Sequence, residues 1–358
     1  EETLKNEVEK KISIFGLESY LNFMIINHNE PYKLIDIDFK EIGSLIKISK
    51  KFEILKKREF PYMKKMRDEY IKVYSILECL FNIKELKDYI IKDNKLIEDS
   101  FSFHFFQILR IMWNYPERYE IQNSNEFENL FSSFLIQLQE LSKDYNKNIF
   151  DDIKLLMETI VLELQKDLYK SNFNKDFIFN DKLYRDLNTI NKLNEKIFFQ
   201  ELFFFDVELA QKCKCQNNCT YYRKYFLEFN IDEKDKDKSI DIKTLFKNLD
   251  DTEVCEKNHK MTITRKLITL PKYLIITLNF NNKSLKYYPK KLDCNDFSNC
   301  KNGKTEYEII SFIDEKKSVP ICKSPVNDKW YKYDAEISED SKNKERSLPI
   351  LLIFKQTK

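Results

Sequence analysis

The chain has 358 residues, 42% of them hydrophobic and 34% charged, enough for one large domain or two ordinary ones around a sizeable core. Its 61 lysines and arginines nearly balance 59 aspartates and glutamates, so the net charge of +2 gives no global argument for nucleic-acid binding, and any such surface has to be local. Only Gly16, Gly43 and Gly303 are present, against an average usage of roughly 7%, which excludes a P-loop and a dinucleotide fingerprint, since both need several glycines to bring backbone up to phosphate.

No apolar run reaches the roughly 18 residues of a membrane span, and no signal peptide is visible, so an intracellular protein without membrane attachment is expected. The eight cysteines are Cys79, Cys213, Cys215, Cys219, Cys255, Cys294, Cys300 and Cys322, seven of them in the last 150 residues. Clustering of that kind in an intracellular chain points to metal ligands or thiols before disulfides.

In chain order, residues 1–56 are mixed. "ISIFGLESYLNFMIINH" and "PYKLIDIDF" alternate apolar and polar residues and predict strands, while "DFKEIGSLIKI" predicts a helix with Asp38 as its cap. Residues 47–72 are locally basic, with ten Lys/Arg against four Asp/Glu, interleaved with Phe52, Phe60, Tyr62 and Tyr70. Helical spacing then runs through "VYSILECLFNIKELKDYII", "FSFHFFQILRIMW", "NEFENLFSSFLIQLQEL" and "NIFDDIKLLMETIVLELQKDL", with Pro116 breaking one run. At "KIFFQELFFFDVELAQKC" and "CTYYRKYFLEFNI" the period changes to alternation, which predicts strands with a turn at "KCKCQNNC". A charged loop and a short helix, "IDIKTLFKNL", come next. "TITRKLITL", "KYLIITLNF", "TEYEIISFI", "DKWYKYD" and "LPILLIFK" predict further strands. Helices first and strands later imply an α+β fold.

Several of these segments resemble those of the ubiquitin-specific proteases. "TRKLITLPKYLIITLNF" (264–280) is similar to the family's pair of palm strands joined by Leu-Pro, and "KWYKYD" (329–334) to the strand that carries the third triad member. "EYEIISFI" (306–313) and "LPILLIFK" resemble the last strands. "VYSILECLFNIKELKDYI" (73–90) resembles the helix after the nucleophile, and "NIFDDIKLLMETIVLELQK" (148–166) the Gln-Asp box and its helix. The resemblance covers about 60–358 in the right order. It implies a papain-like fold with a helical thumb over 60–170, β fingers over about 197–255 and a β-rich palm from about 262. Two stretches, "PYKLIDIDFKEIGSLIK" (31–47) and "QILRIMWNYPERYEI" (107–121), resemble the catalytically inactive member associated with the spliceosomal tri-snRNP. In that member a zinc-finger ubiquitin-binding-type module precedes the protease-like domain. On this basis residues 1–56 are expected to be a remnant of that module with its linker, and 57–358 the protease-like domain. His28 is the module's lone metal-ligand type, because no cysteine precedes Cys79.

A thiol protease needs a thiolate, a histidine base, a residue to orient the base and an oxyanion donor. Read back without gaps from "SILECL", the nucleophile position falls on Ile71, or on Tyr70 with a one-residue slip. The alternative anchor "GLESYLN" (16–22) would put Ser19 there. The chain has only His28, His104 and His259, and none lies in "KKSVPICKSPV" (316–326), where the resemblance places the base. Asp334 alone of the triad remains. Cys79 is expected to be a buried thiol on an apolar helix face.

A second chemical site is expected in the fingers. Cys215, Cys219, Cys255 and His259 would give the four N/S ligands of one structural zinc, with Cys213 as a substitute; the bland reading is a zinc-free finger with ordinary thiols. The basic stretch 47–72 reads as a solvated face or as a contact to snRNP protein or snRNA backbone. The function expected from the resemblance is a nuclear, catalytically inactive scaffold that stabilises or assembles the tri-snRNP in pre-mRNA splicing, with snRNP proteins as partners. The alternatives are a ubiquitin-binding pseudo-deubiquitinase in a proteasomal or chromatin complex, and a divergent active deubiquitinase. Whether ubiquitin is still bound is left open.

Overall fold

The computed structural model describes residue 61 and residues 68–91, 96–114, 125–141, 143, 148–173, 198–231, 251–280, 290–300, 304–314, 317–334, 337–339 and 349–357. The elements expected within 1–56, most of the basic stretch 47–72, Pro116 and the helix expected at "IDIKTLFKNL" lie outside the described residues.

Among the described residues, five helices precede the strands: α1 (Ile71–Phe81), α2 (Lys84–Ile91), α3 (Phe101–Asn114), α4 (Asn125–Leu141) and α5 (Ile153–Phe173). Short polar side chains set the starts of α3 and α5. Ser100 Oγ accepts from the Phe103 N–H at 3.1 Å, and Asp152 Oδ1 accepts from the N–H groups of Lys154 (3.0 Å) and Leu155 (3.1 Å). Each satisfies a donor that the first helical turn leaves without a partner. Helix α1 is the central one: every residue from Val73 to Phe81 is buried. Aromatic pairs lock the others around it, with Tyr74 stacked on Phe131 (5.0 Å) and Phe81 edge-on to Phe105 (5.4 Å).

The described residues of the second half form a short helix α6 (Phe198–Phe203) and twelve strands. These are β1 (Phe205–Lys212), β2 (Asn217–Lys224), β3 (Leu227–Ile231), β4 (Asp251–Val254), β5 (Lys260–Leu267), β6 (Tyr273–Phe280), β7 (Lys291–Asp293), β8 (Glu306–Asp314), β9 (Pro320–Lys323), β10 (Trp330–Tyr333), β11 (Ile337–Glu339) and β12 (Pro349–Gln356). They form two sheets. The smaller has the order β2-β1-β5-β4. The larger has the order β11-β10-β9-β8-β12-β6-β3, with β7 on β8. Among the strands of the described residues, β3 and β6 are the one parallel pair.

The larger sheet is buried on both faces, which explains its continuous apolar sequences. Tyr273, Ile275, Leu351 and Ile353 face the helices, while Leu274, Ile276, Leu352 and Phe354 enter a second core with Phe205, Leu292 and Tyr307. The period of two sends alternate residues to opposite cores.

The structure corrects three readings. "FFQELF" is helical, not extended: Phe199, Leu202 and Phe203 are buried at helical spacing, and the Phe204 N–H donates to the Gln200 carbonyl. Strand β3, expected in the fingers, belongs to the larger sheet, and β5, expected in the palm, belongs to the smaller. The segment 316–326 contains a strand, β9. Among the described residues no helix is long and apolar enough to cross a membrane.

Candidate functional site

The region where the resemblance places the catalytic groove begins at the amino end of α1. Tyr70, at its N-cap position, provides no side-chain cap and packs edge-on against Phe150 at 5.1 Å. Ile71 opens the helix, half-buried. Lys72 Nζ donates to the Asp151 carbonyl, which ties this turn to the start of α5. Four residues on, Ser75 Oγ lies 2.7 Å from the Ile71 carbonyl oxygen and also reaches the carbonyl of Ser318. Ser75 therefore spans from the helix start to the turn between β8 and β9.

That turn is where the base was sought. It presents Ser318, 92% buried and held at φ 50° in the left-handed region that a residue with a Cβ enters at a cost. Beyond it, β9 pairs with β10, whose end brings Asp334. The Asp334 carboxylate forms an ion pair with Lys332 at 3.1 Å, both partly exposed. Ile71, Ser318 and Asp334 thus stand at the start of α1, on the turn between β8 and β9 and just past the end of β10.

The described histidines are elsewhere. His104 is buried near the start of α3, its Nδ1 2.9 Å from the Ser100 carbonyl oxygen, and His259 is in the hairpin between β4 and β5. His28 and Ser19 lie outside the described residues. Cys79 is fully enclosed on α1, and burial pushes its thiol well above its ordinary value, so it stays protonated while it is enclosed. Beneath the groove, Asn82 Nδ2 donates to Tyr333 Oη at 2.9 Å. That bond joins the far end of α1 to β10.

The second site is at the tip of the smaller sheet, built by two turns. The Cys213 N–H donates to the Gln216 carbonyl (2.9 Å) and closes the turn from β1 to β2. The Cys255 N–H donates to the His259 carbonyl (3.0 Å), with Asn258 at φ 57° making the left-handed step. These turns bring three thiols together: Cys213 and Cys215 with sulfurs 3.0 Å apart, Cys215 and Cys255 with sulfurs 3.4 Å apart. All three donor atoms lie within 4.8 Å of one another. Burial works to raise the Cys255 thiol, but hydrogen bonds from Cys215 and from the backbone of His259 and Lys257 outweigh it and bring it down to about 7. Cys215 is pushed up to about 12 by its hydrogen bonds with Cys213 and Cys255. Proximity lets one thiolate form and penalises the next, unless a cation sits among them.

The expected ligand set shifts accordingly. Cys215 and Cys255 converge, and Cys213 is the third member, where the sequence made it a substitute. Cys219 lies within β2, opposite Ala210, exposed and hydrogen-bonded to the Tyr221 hydroxyl. Extended strand geometry carries it away from the turn. His259 is outside the three-thiol group, but its Nδ1 is buried without a hydrogen-bond partner, on the same turn as Cys255. An orphaned imidazole nitrogen beside three gathered thiols fits a soft or borderline metal such as zinc. The C-x-C spacing was the available signal for Cys213.

Comparison with known proteins follows the same outline. The profile of the ubiquitin carboxyl-terminal hydrolase family matches residues 73–354, beginning just past Ile71. No curated protein matches the sequence. Among solved structures, the chain is similar to one in the SAGA DUB module Ubp8/Sgf11/Sus1/Sgf73 bound to monoubiquitin, with TM-score 0.61 and 16% identity over 91% of this chain and 77% of that one. The yeast SAGA DUB module with a substituted Sgf73 gives TM-score 0.58 and 16% identity over 91% and 76%. The same module bound to ubiquitin aldehyde gives 0.58 and 16% over 91% and 77%. At these identities the likeness speaks for the fold, which is the papain-like architecture of the ubiquitin-specific proteases.

Proposed function

This chain belongs to the ubiquitin carboxyl-terminal hydrolase family, and on that premise we propose that it is a pseudo-protease, a deubiquitinase fold kept as a binding scaffold. The observation that carries the reading is the pair facing each other through Ser75. Ile71 opens α1 and Ser318 stands across from it, and neither can attack a carbonyl or relay a proton in the way a thiol and an imidazole do. Asp334 can orient a histidine, but the sequence has none between 316 and 334. Losses of triad members cost several powers of ten in rate.

The finer reading is a nuclear scaffold in pre-mRNA splicing, holding tri-snRNP proteins together, with residues 1–56 as a degenerate module and 57–358 as the protease-like domain. Its support is the resemblance of 31–47 and 107–121 to the inactive spliceosomal member, and the basic character of 47–72, suited to protein or snRNA backbone. A second reading, a ubiquitin-binding pseudo-deubiquitinase in a chromatin complex, draws on the likeness to the SAGA modules. In either case Cys213, Cys215 and Cys255, with His259 as fourth donor, would hold one zinc. That ion would supply a structural cross-link between the two finger turns.

The test of inactivity is turnover of a fluorogenic ubiquitin substrate together with a ubiquitin-based thiol-reactive probe. We expect neither turnover nor labelling, and Ile71→Cys alone should stay inactive, its thiol near the ordinary ~8.5 without a base. Labelling of the native protein at one cysteine, lost on its replacement by alanine, overturns the reading. Co-purification separates the finer alternatives: snRNP proteins support the splicing scaffold, and histone-modifying or proteasomal subunits refute it.

A further inference from the structure

Cys79 on α1 and Cys322 on β9 are 243 residues apart in sequence, yet their sulfurs are 3.8 Å apart. Both side chains are fully buried. Strand register fixes where Cys322 points: it pairs with Ser311 on one side and Tyr331 on the other, on the face of the larger sheet that meets the helices. From α1, Glu78, Cys79 and Asn82 line the facing surface, and Cys322 Sγ also lies 3.8 Å from the Glu78 carbonyl oxygen. The two sulfurs therefore meet in a polar seam between the thumb helix and the palm, flanked by the Asn82–Tyr333 hydrogen bond. Two thiols from opposite walls, aimed at each other with no side chain between them, have the arrangement from which a disulfide closes. A disulfide requires the two sulfurs to close from 3.8 Å to roughly 2 Å.

We propose that Cys79 and Cys322 are a redox-closable pair, which a peroxide-class oxidant joins into a disulfide that staples the far end of α1 to β9. The Cys79 thiolate attacks one peroxide oxygen, the O–O bond breaks, and Cys79 becomes a sulfenic acid while hydroxide leaves and takes a proton to become water. The Cys322 thiolate then attacks the Cys79 sulfur, the S–O bond breaks, and the second oxygen departs as water with the Cys322 proton. Two thiols are oxidised to one disulfide, and one peroxide is reduced to two waters. Burial keeps the reduced pair unreactive while the seam is shut, so closure follows local opening of α1 from β9 and is slow. Once formed, the bond fixes the spacing between the start of α1 and the Ser318 turn, since Ser75 and Cys79 lie on successive turns of one helix. The inference does not depend on whether the groove is catalytically dead.

The test uses the full, reduced chain treated with hydrogen peroxide, then alkylated in denaturant and digested. The expected result is a peptide pair joined through Cys79 and Cys322, with a thermal midpoint that rises and returns on adding a thiol reductant. Cys79→Ala and Cys322→Ala should each abolish both signals. If those variants fail to fold, the joined peptides of the unsubstituted chain decide the matter. Recovery of Cys79 and Cys322 as alkylated thiols, under conditions in which exposed Cys215 is oxidised, would overturn the proposal. So would a sulfinic acid at either position with no joined peptides.

Discussion

Replacing Asp206 with alanine should destabilise the protein by about 3–5 kcal/mol, far more than a surface acid would. Asp206 and Arg223 are directly opposite on β1 and β2, and both are more than nine-tenths buried. The guanidinium donates twice, Nε to Oδ1 at 2.8 Å and Nη2 to Oδ2 at 3.4 Å, and Thr269 Oγ1 donates to Oδ2 at 3.2 Å. The same aspartate's backbone is fastened too: its N–H donates to Thr269 Oγ1, and its carbonyl accepts from the Ile268 N–H, both at 2.8 Å. The knot closes the root of the smaller sheet where β5 hands the chain on to β6. Removing the carboxylate leaves a guanidinium desolvated and uncompensated, which is the expensive state of a buried pair. With an unfolding entropy of roughly 2.1 cal/mol/K per residue, the loss corresponds to a midpoint about 4–7 °C lower for a cooperatively melting chain of this length. Calorimetry or denaturant titration of Asp206→Ala, Arg223→Met and the double variant would measure it. The double variant should be more stable than Asp206→Ala, because no orphaned charge remains. A loss below about 1 kcal/mol for Asp206→Ala, the range of exposed pairs, would refute the argument by showing that water reaches the pair.

Two further predictions concern the two sites. Zinc binding should release one fewer proton as pH rises through about 7, because the lowered Cys255 thiol is already ionised above that pH and must be deprotonated by the metal below it; calorimetry in buffers of different ionisation heat checks this, and Cys215→Ser should weaken binding sharply while Cys219→Ser should not. Ser318→Gly should be neutral to mildly stabilising, by up to about 1 kcal/mol, and Ser318→Val destabilising, because the left-handed φ of 50° suits only a residue without a Cβ; equal losses for both would show that the Ser318 side chain, not its backbone, carries the position.

What the sequence disclosed depended on length and period. Helices α1 to α5 were legible because buried residues recur at helical spacing over many turns, and β6, β8 and β12 because nine or fewer apolar-rich residues sit between turn signals. Strands β7, β9 and β11 have three or four residues and carry no period to read. The run of phenylalanines at 198–205 fits helix and strand equally, and α6 ends within it. In the finger site, cysteine spacing named the neighbourhood but not the members: whether Cys213 or Cys219 joins Cys215 is decided by where β2 begins. Ser318 was invisible because its distinguishing feature is a backbone angle, and serine, unlike glycine, does not advertise one. The assignment of Ile71 to the nucleophile position rests on the family resemblance alone.

Strand β12 lies mid-sheet, paired with β8 on one side and β6 on the other, although it follows both in the chain. Until it inserts, two long apolar strands present open edges, and neither core can seal, since alternate β12 residues complete each of them. Assembly is therefore gated by a late, non-local event. A molecule opened at this strand would present a slot between two apolar strand edges, the place where strand exchange with another chain would act.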